Sequence, residues 1–238
     1  MFGAVSRVMV LAAALVAAGQ ADTKTWGYKK STDEEVGPAD WKEAYPACGG
    51  SHQSPINIPV RDLSHNDWDC TVKSINFDGR EYALAQFHIH STSEHTLDYY
   101  HYDAEIHFVH KDADTGTILV TGVFLAAEPN AEPNPFINSL WEDLVSGDEE
   151  FDMEDGGTNY AELLNGLIAK NHLFNYNGSL TTPPCSEVVD WWVLNNPVPI
   201  SYDQLRQLKS VYQDLPATSE ASDNRPTQPL NDRQIKYY

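Results

Sequence analysis

Most of the chain after residue 70 alternates short apolar or β-branched runs with clusters of turn-forming residues. This pattern is typical of strands separated by turns, and it favours a strand-rich domain over a helical bundle. The preceding segment, up to Ile58, is rich in Trp, Gly and Pro and predicts irregular structure packed by aromatic rings. The predicted strands are Thr71–Phe77, Tyr82–His90, Ala104–His110, Thr117–Leu125 and Val188–Leu194.

Apolar residues at helical spacing occur in three shorter stretches. Two of them, Asn138–Val145 and Tyr160–Lys170, flank an acidic run, Gly147–Gly157, that predicts a loop. The third, Tyr202–Tyr212, follows Ser201, a residue suited to cap the start of a helix. The chain has no internal repeat and no long linker, so these elements predict one domain with few helices.

The first 21 residues have the pattern of a secretory signal peptide. Arg7 precedes an apolar run from Val8 to Ala18, and small residues follow. This run is shorter than the roughly 20 apolar residues that span a bilayer. We therefore expect residues 1–21 to be a signal peptide and residues 22–238 to form the domain. The mature protein is then expected to be secreted, or held in the lumen of the secretory pathway, with no segment that spans the membrane.

The charge of the chain argues against one class of partner. The sequence has 35 Asp and Glu residues against 15 Lys and Arg residues, a formal net charge of -20. A surface of this sign repels the phosphate backbone of nucleic acids, so no nucleic-acid partner is expected.

Three cysteines, Cys48, Cys70 and Cys185, are present. In an oxidising compartment two of them can pair and one is left over. They show no CxxC or Cys/His zinc-finger spacing. The thiols are therefore not the obvious metal ligands.

Six of the nine histidines lie between residues 86 and 110. In the predicted strands, alternation places His88 and His90 on one face of the first strand and His107 on a face of the second. If the two strands form an antiparallel pair, the three imidazoles meet on one surface. Three neutral nitrogen ligands with a fourth position open are the arrangement of a catalytic zinc site. His95, His101 and His110 fall outside this pattern and are expected to be structural or surface residues.

Two acceptor residues share the faces of these histidines. Gln86 lies two positions before His88, and Glu105 lies two positions before His107. A metal-bound imidazole usually donates its second N–H to an oxygen, which fixes its orientation. Both residues are therefore expected to support the metal ligands.

A second type of metal site also fits part of this pattern. His88-x-His90-x3-Glu94 matches the first metal motif of cupins, in which Glu94 would be a ligand. That motif expects a glycine seven residues after the glutamate, where this chain has His101, and no Pro-x-Gly precedes the third histidine. From the spacing of these residues alone, both interpretations stay open.

Several segments closely resemble the motifs of alpha-class carbonic anhydrases. They are WGY, GPADW, CGGSHQSPINI, QFHIH, SEHT, AEIHFVH, YNGSLTTPPCSE and NRPTQPLNDRQ, and they occur in the order of that family. The resemblance implies a mainly β (α+β) fold. Its centre would be a large, mostly antiparallel twisted sheet with a conical site, and a few short helices would lie at its periphery.

The resemblance also implies an activity and a set of roles. The activity is the reversible hydration of carbon dioxide to bicarbonate and a proton, by attack of a hydroxide bound to Zn²⁺ on His88, His90 and His107. Glu94 would accept a hydrogen bond from the Thr181 hydroxyl, which then accepts one from the hydroxide and orients it. The other implied positions are Gln86 and Glu105 behind the zinc ligands, Thr182 beside the site, Val109, Val120, Leu180 and Trp191 as the apolar wall for the substrate, and a Cys48–Cys185 disulfide.

One departure from the family leaves a second function open. Alpha-class chains carry several additional strands between SPINI and QFHIH, where this chain has only the 27 residues Pro59–Ala85. That part of the family's chain normally carries the histidine that transfers protons to solvent. His65 lies in the shortened segment but not in the family's motif, and His52 is another outside candidate. The alternative is a carbonic-anhydrase-like binding or matrix protein with impaired catalysis.

Overall fold

An eight-stranded mixed sheet dominates the computed structural model. The structure describes residues 24–60, 75–77, 80–112, 114–138, 164, 166–169, 172–213, 218–219 and 222–238. Its strands are β1 (Thr25–Trp26), β2 (Glu35–Val36), β3 (Asn57–Ile58), β4 (Ile75–Phe77), β5 (Arg80–His90), β6 (Thr96–Leu97), β7 (Ala104–Asp112), β8 (Ile118–Ala127), β9 (Leu173–Gly178), β10 (Val189–Leu194), β11 (Val198–Ile200) and β12 (Lys236–Tyr237). The helices with described bounds are Trp41–Ala44, the 3₁₀ turn Pro46–Gly49 and Tyr202–Gln213.

The sheet is mostly antiparallel. Its strand order is β12-β9-β10-β8-β7-β5-β4, and β11 also pairs with β8. Only β10 and β11 run parallel to β8, while the other neighbours are antiparallel. Two small parallel pairs, β1–β2 and β3–β6, lie outside it. The fold predicted from the resemblance, mainly β with a large central sheet, is confirmed.

The central strands are buried on both faces. On one face, Ile106 and Phe108 of β7 join a core that also contains Leu205 and Leu208 of the long helix. On the other face, Val120 of β8 belongs to a second core that contains Trp191, Phe174 and Ile56. Full burial of an aliphatic or aromatic side chain contributes about 1.5–3 kcal/mol. The strands nearest to the histidines are therefore held rigidly from both sides.

The helix Tyr202–Gln213 begins where the sequence predicts. The amide of Gln204 donates to Ser201 Oγ at 3.2 Å, and the amide of Ser201 donates to Gln204 Oε1 at 3.1 Å. These reciprocal hydrogen bonds form a capping box. None of the helices in the described residues is long and apolar enough to cross a bilayer.

The described bounds of β5, β7, β8 and β10 agree with the predicted strands to within two residues at each end. Three strands of the large sheet, β9, β11 and β12, were not predicted, and β9 is the longest of them. Asparagines at 175 and 177 interrupt the apolar pattern of β9, and asparagine is depleted in strands. In the structure, Asn175 Nδ2 donates to Asp190 Oδ1 of the neighbouring strand at 2.6 Å, which satisfies the polar side chain.

Other predictions fall partly or wholly on residues that the structure does not describe. They are residues 71–74 of the first predicted strand, the acidic loop Gly147–Gly157 and most of the helices Asn138–Val145 and Tyr160–Lys170. Helical residues are described at 135–138, 164 and 166–168.

The irregular N-terminal segment is packed by aromatic rings, as predicted. The ring centroids of Trp26 and Tyr28 lie 5.6 Å and 5.7 Å from that of Trp41. The disulfide implied by the resemblance, Cys48–Cys185, is also formed and belongs to the same core. It connects this segment to the turn that follows β9.

Candidate metal centre

Three histidines converge on one face of the β5–β7 pair. His88 pairs with His107 across the ladder, and His90 pairs with Glu105. The three imidazole centroids are separated by 4.9 Å (His88–His90), 5.2 Å (His88–His107) and 4.7 Å (His90–His107). One nitrogen from each ring lies within 4.8 Å of the others, a spacing suited to a metal ion. The convergence predicted from strand alternation is confirmed.

The alternation of the two strands explains why the histidines share this face. Phe87 and Ile89 of β5, together with Ile106 and Phe108 of β7, point into the core on the opposite side of the sheet. Since successive side chains of a strand point to opposite faces, the residues between them must face the other side. An irregularity in register between Leu84 and Gln86 comes before the ligand positions and does not change the face of His88.

Each of the three imidazoles is held through one ring nitrogen by an oxygen acceptor. The pairs are His88 Nδ1 with Gln86 Oε1 at 2.9 Å, His90 Nδ1 with the main-chain oxygen of Asp223 at 3.2 Å, and His107 Nε2 with Glu105 Oε1 at 3.0 Å. The second nitrogen of each ring is thereby left to face the centre of the cluster. His90 Nε2 is buried and has no hydrogen-bond partner in the described part of the chain. A buried nitrogen of this kind fits a metal ligand, because burying it unpaired is otherwise costly.

Glu105 connects the cluster to a second buried histidine. Its Oε1 also contacts His95 Nδ1 at 2.7 Å, and its Oε2 accepts the amides of Glu94 and His95 at 2.9 and 2.8 Å. Burial alone would raise the pKa of Glu105, but His95 and His107 hold it well below its usual range. The other nitrogen of His95 contacts the Tyr176 hydroxyl at 2.6 Å. Because both nitrogens of His95 are engaged, it fits the structural role predicted for it better than a ligand role.

The protonation of the three histidines suits a cation. Burial lowers the pKa of His88 well below its usual value and that of His107 to about 4, so both rings are neutral. Burial also acts to lower the pKa of His90, but the carboxylates of Glu94 and Asp223 raise it to about 10. The surroundings of His90 therefore favour a positive charge, which a metal ion at Nε2 supplies in place of a proton.

Glu94 lies beside the three rings without belonging to the set. Its Oε1 accepts the main-chain amide of Arg225 at 2.9 Å. Its Oε2 lies 3.4 Å from His90 Nε2 and has no hydrogen-bond partner of ordinary geometry among the described residues. Burial raises the pKa of Glu94, while His90 and the hydroxyl of Thr181 act to lower it. Thr181 is therefore close to this carboxylate, and the hydrogen bond that the resemblance implies between them stays a prediction.

The apolar residues assigned to the substrate wall lie in one core. Val109, Val120, Leu180 and Trp191 all belong to the cluster on the histidine face of the sheet. The Trp191 ring lies 4.8 Å from that of His107. Thr182 is half-buried in the next turn, where its main-chain oxygen accepts the amide of Cys185 at 2.8 Å.

The remaining histidines are distributed elsewhere. His101 is exposed and its Nδ1 contacts the Ser93 carbonyl, whereas His110 is buried and its Nδ1 contacts the Phe108 carbonyl. His52 lines a separate groove of about 580 Å³, which none of the three clustered histidines lines. His65 and Cys70 lie outside the described residues.

Asp223 was not predicted from the sequence as part of the site. This residue comes directly before the motif NRPTQPLNDRQ and 133 positions after His90, in a segment without strand or helix periodicity. A hydrogen-bond acceptor supplied by such a loop leaves no signal in the spacing of residues. The position next to a recognised motif was the one available hint.

Comparisons with known proteins agree with this site. The model of the family described as eukaryotic-type carbonic anhydrase matches residues 36–79 and 65–238, and the two matches overlap within the segment predicted to be shortened. A carbonic anhydrase of Pectobacterium atrosepticum is 31% identical over 255 residues, which cover 96% of this chain and 97% of that protein.

Two solved structures are similar along the whole domain. The alpha-carbonic anhydrase of Thermovibrio ammonificans, in complex with the inhibitor sulfanilamide, has a TM-score of 0.67 at 30% identity and covers 90% of this chain and 99% of its own. A hyperthermostable carbonic anhydrase from a hydrothermal vent chimney has a TM-score of 0.72 at 30% identity, with the same coverage. The cupin interpretation has no support from this fold. The chain belongs to the eukaryotic-type, or alpha, family of carbonic anhydrases.

Proposed function

We propose that this enzyme catalyses the reversible hydration of carbon dioxide at a zinc ion held by His88, His90 and His107. The observation that carries the proposal is a cluster of three imidazoles, each held by an oxygen acceptor through one ring nitrogen, in which the buried His90 Nε2 has no hydrogen-bond partner among the described residues. Zinc bound by three imidazoles lowers the pKa of water to about 7, the value established for carbonic anhydrases, and so supplies hydroxide at neutral pH.

Glu94 and Thr181 orient the attack in this proposal. Among the described residues, Glu94 Oε2 lacks a donor of ordinary geometry, and the neighbouring Thr181 hydroxyl is a suitable one. A threonine that donates its single proton to a carboxylate has only lone pairs left, so it can accept a hydrogen bond from the attacking hydroxide but cannot donate one. This arrangement selects one orientation of the nucleophile. Carbon dioxide, which is apolar, would lie against Val109, Val120, Leu180 and Trp191, with Thr182 beside the site.

We also propose that residues 1–21 are removed and that the domain of residues 22–238 works in the secretory pathway or outside the cell. The apolar N-terminal run supports this proposal. The Cys48–Cys185 disulfide supports it independently, because such bonds persist in oxidising compartments.

The metal site is tested by measuring zinc content and carbon dioxide hydration on the same purified protein. We expect about one zinc per chain, lost in His107→Ala, because two imidazoles are too few protein ligands for a catalytic zinc site. His101→Ala is the matched control, since His101 lies in the same segment and is exposed. Equal zinc loss in both variants would contradict the assignment. A folded protein that binds zinc without turnover would instead support the non-catalytic alternative.

The role of Thr181 is tested separately. Thr181→Ala should keep zinc and slow hydration by about 100-fold, the order of effect of a misplaced reactant. Thr181→Ser keeps the hydroxyl and should restore much of the rate. Unchanged turnover of Thr181→Ala at full zinc occupancy would refute this role.

A further inference from the structure

A carboxylate next to His90 distinguishes this ligand from the other two. Asp223 Oδ2 lies 3.2 Å from His90 Nδ1, in addition to the contact of the Asp223 main-chain oxygen with the same nitrogen. Both side chains are buried, with 4% of the Asp223 side chain and none of the His90 side chain exposed. A buried carboxylate that contacts a buried ring does not exchange its partner for water.

The position of the Asp223 carboxylate is fixed by the residue that follows His90. The amide of Asp223 donates to the Ser91 carbonyl at 2.8 Å, and the amide of Ser91 donates to Asp223 Oδ1 at 2.9 Å. Two residues later, the amide of Arg225 holds Glu94. The segment 223–225 therefore supports both His90 and Glu94, and Asp223 cannot turn away from His90 without breaking its hydrogen bond to Ser91.

The carboxylate of Asp223 differs from the acceptors of the other two histidines in how its charge is used. His88 has the neutral amide of Gln86 as its acceptor. Glu105 is charged, but its two oxygens serve four donors, including the rings of His95 and His107. Within the described residues, Asp223 Oδ2 has His90 as its one hydrogen-bonding or ionic contact. Its negative charge is therefore directed mainly at the ring of His90.

We propose that Asp223 is a positioning residue that holds His90 toward the metal and, through the charge of its carboxylate, strengthens the binding of the cation. The inference rests on the proposed zinc function. A carboxylate that accepts the second N–H of a metal-bound imidazole raises the basicity of the ligand and fixes its orientation. Asp223 would do this for His90 from a loop, whereas Gln86 and Glu105 act from the same strands as their histidines.

The variant Asp223→Asn separates charge from shape. It preserves the volume and the main-chain contacts of the residue. However, the two oxygens of Asp223 face two N–H donors, from Ser91 and His90, and an amide offers only one acceptor oxygen. The NH₂ group of asparagine must therefore face one of these donors. Asp223→Ser is a second variant that removes the charge without introducing this conflict.

The experiment measures the rate at which the zinc-loaded protein releases its metal to a chelator in excess. Both variants should release zinc about 10- to 100-fold faster than the wild type, the usual effect of losing such a partner. In the cobalt(II)-substituted protein, the pH midpoint of the visible absorption change should move to lower pH, because less negative charge then faces the metal. Gln86→Glu, which adds a carboxylate to His88, should slow the release.

Asp232→Asn is the matched control, with the same change of charge at a side chain that is 86% exposed. It should release zinc at the wild-type rate. Wild-type release and an unshifted cobalt midpoint in both Asp223 variants would overturn the proposal, even if their metal-free forms melted earlier. Failure of both variants to fold would also overturn it, since Asp223 would then serve the fold and not the metal. A wild-type protein without zinc would instead overturn the proposed function itself.

Discussion

Gly122 is the residue whose replacement tests the packing of the site most directly. It lies in β8, opposite His107 of β7. A Cβ atom at this position would lie 2.8 Å from Glu105 Oε1, whereas ordinary van der Waals contact begins at 3.4 Å. It would also meet Val193 Cγ2 at 3.4 Å and Cγ1 at 3.7 Å, so the space around it is limited. A methyl group at position 122 therefore requires a shift of Glu105.

Glu105 has little freedom to make that shift. Its Oε1 contacts the rings of His95 and His107, and its Oε2 accepts two main-chain amides. We expect Gly122→Ala to lower the free energy of unfolding by about 1–3 kcal/mol, the usual cost of overpacking. For a domain of this size, that loss lowers the melting temperature by about 2–12 °C. Because His107 loses its acceptor, zinc content at limiting metal should also fall.

Calorimetry of the metal-free and zinc-saturated proteins measures both effects. The control is Gly166→Ala, because a Cβ at Gly166 meets nothing within 4 Å and the residue lies in a helical stretch. That substitution should leave zinc binding unchanged and raise stability by up to about 1 kcal/mol. If Gly122→Ala melts and binds zinc like the wild type, the Glu105 network is more adaptable than its hydrogen bonds indicate, and the reasoning fails.

Three further outcomes are expected. The double variant Cys48→Ser/Cys185→Ser should lower the free energy of unfolding by up to about 5 kcal/mol in the chain-entropy model, because the disulfide closes a loop with a sequence separation of 137. Denaturant unfolding without reductant measures this loss. Burial lowers the pKa of His110 from 6.5 to about 4, so the unfolded chain binds a proton first as the pH falls. The free energy of unfolding is therefore unaffected by His110 above pH 6.5 and falls by about 3 kcal/mol between pH 6.5 and pH 4. His110→Gln should remove that part of the pH dependence of unfolding. At high carbon dioxide, turnover should rise with the concentration of imidazole buffer, because the segment that carries the proton-transferring histidine in the family is shortened in this chain. High turnover that does not depend on buffer would contradict this expectation.

The strands that carry the three clustered histidines could be predicted from sequence because their pattern is local. Phe87 and Ile89 alternate with His88 and His90, and this period of two determines which side chains face the core. The helix that follows Ser201 was predictable for the same reason, since both its cap and its apolar spacing lie within a few residues. The strand β9 was not, because its polar Asn175 is stabilised by Asp190, a partner on another strand.

The completion of the site was less predictable, because it depends on contacts between distant parts of the chain. Arg225 shows this most clearly: its guanidinium donates to Gln53 Oε1 and to the Ser54 carbonyl, while its amide holds Glu94. No periodicity relates these residues, and the resemblance to a known family identified NRPTQPLNDRQ and CGGSHQSPINI only as separate motifs. Their contact was not predicted, and it became visible only in the structure.

The strands and the loops contribute in different ways to the candidate site. The strands fix where the three imidazoles lie, and a substitution there alters the sheet core as well as the metal site. The loop residues fix what each imidazole meets on its far side, as Asp223 does for His90 from a segment outside the large sheet. If His90 binds the proposed zinc, a change in that loop would alter the charge at a ligand without changing the register of β5 and β7, so metal affinity would vary while the fold is preserved.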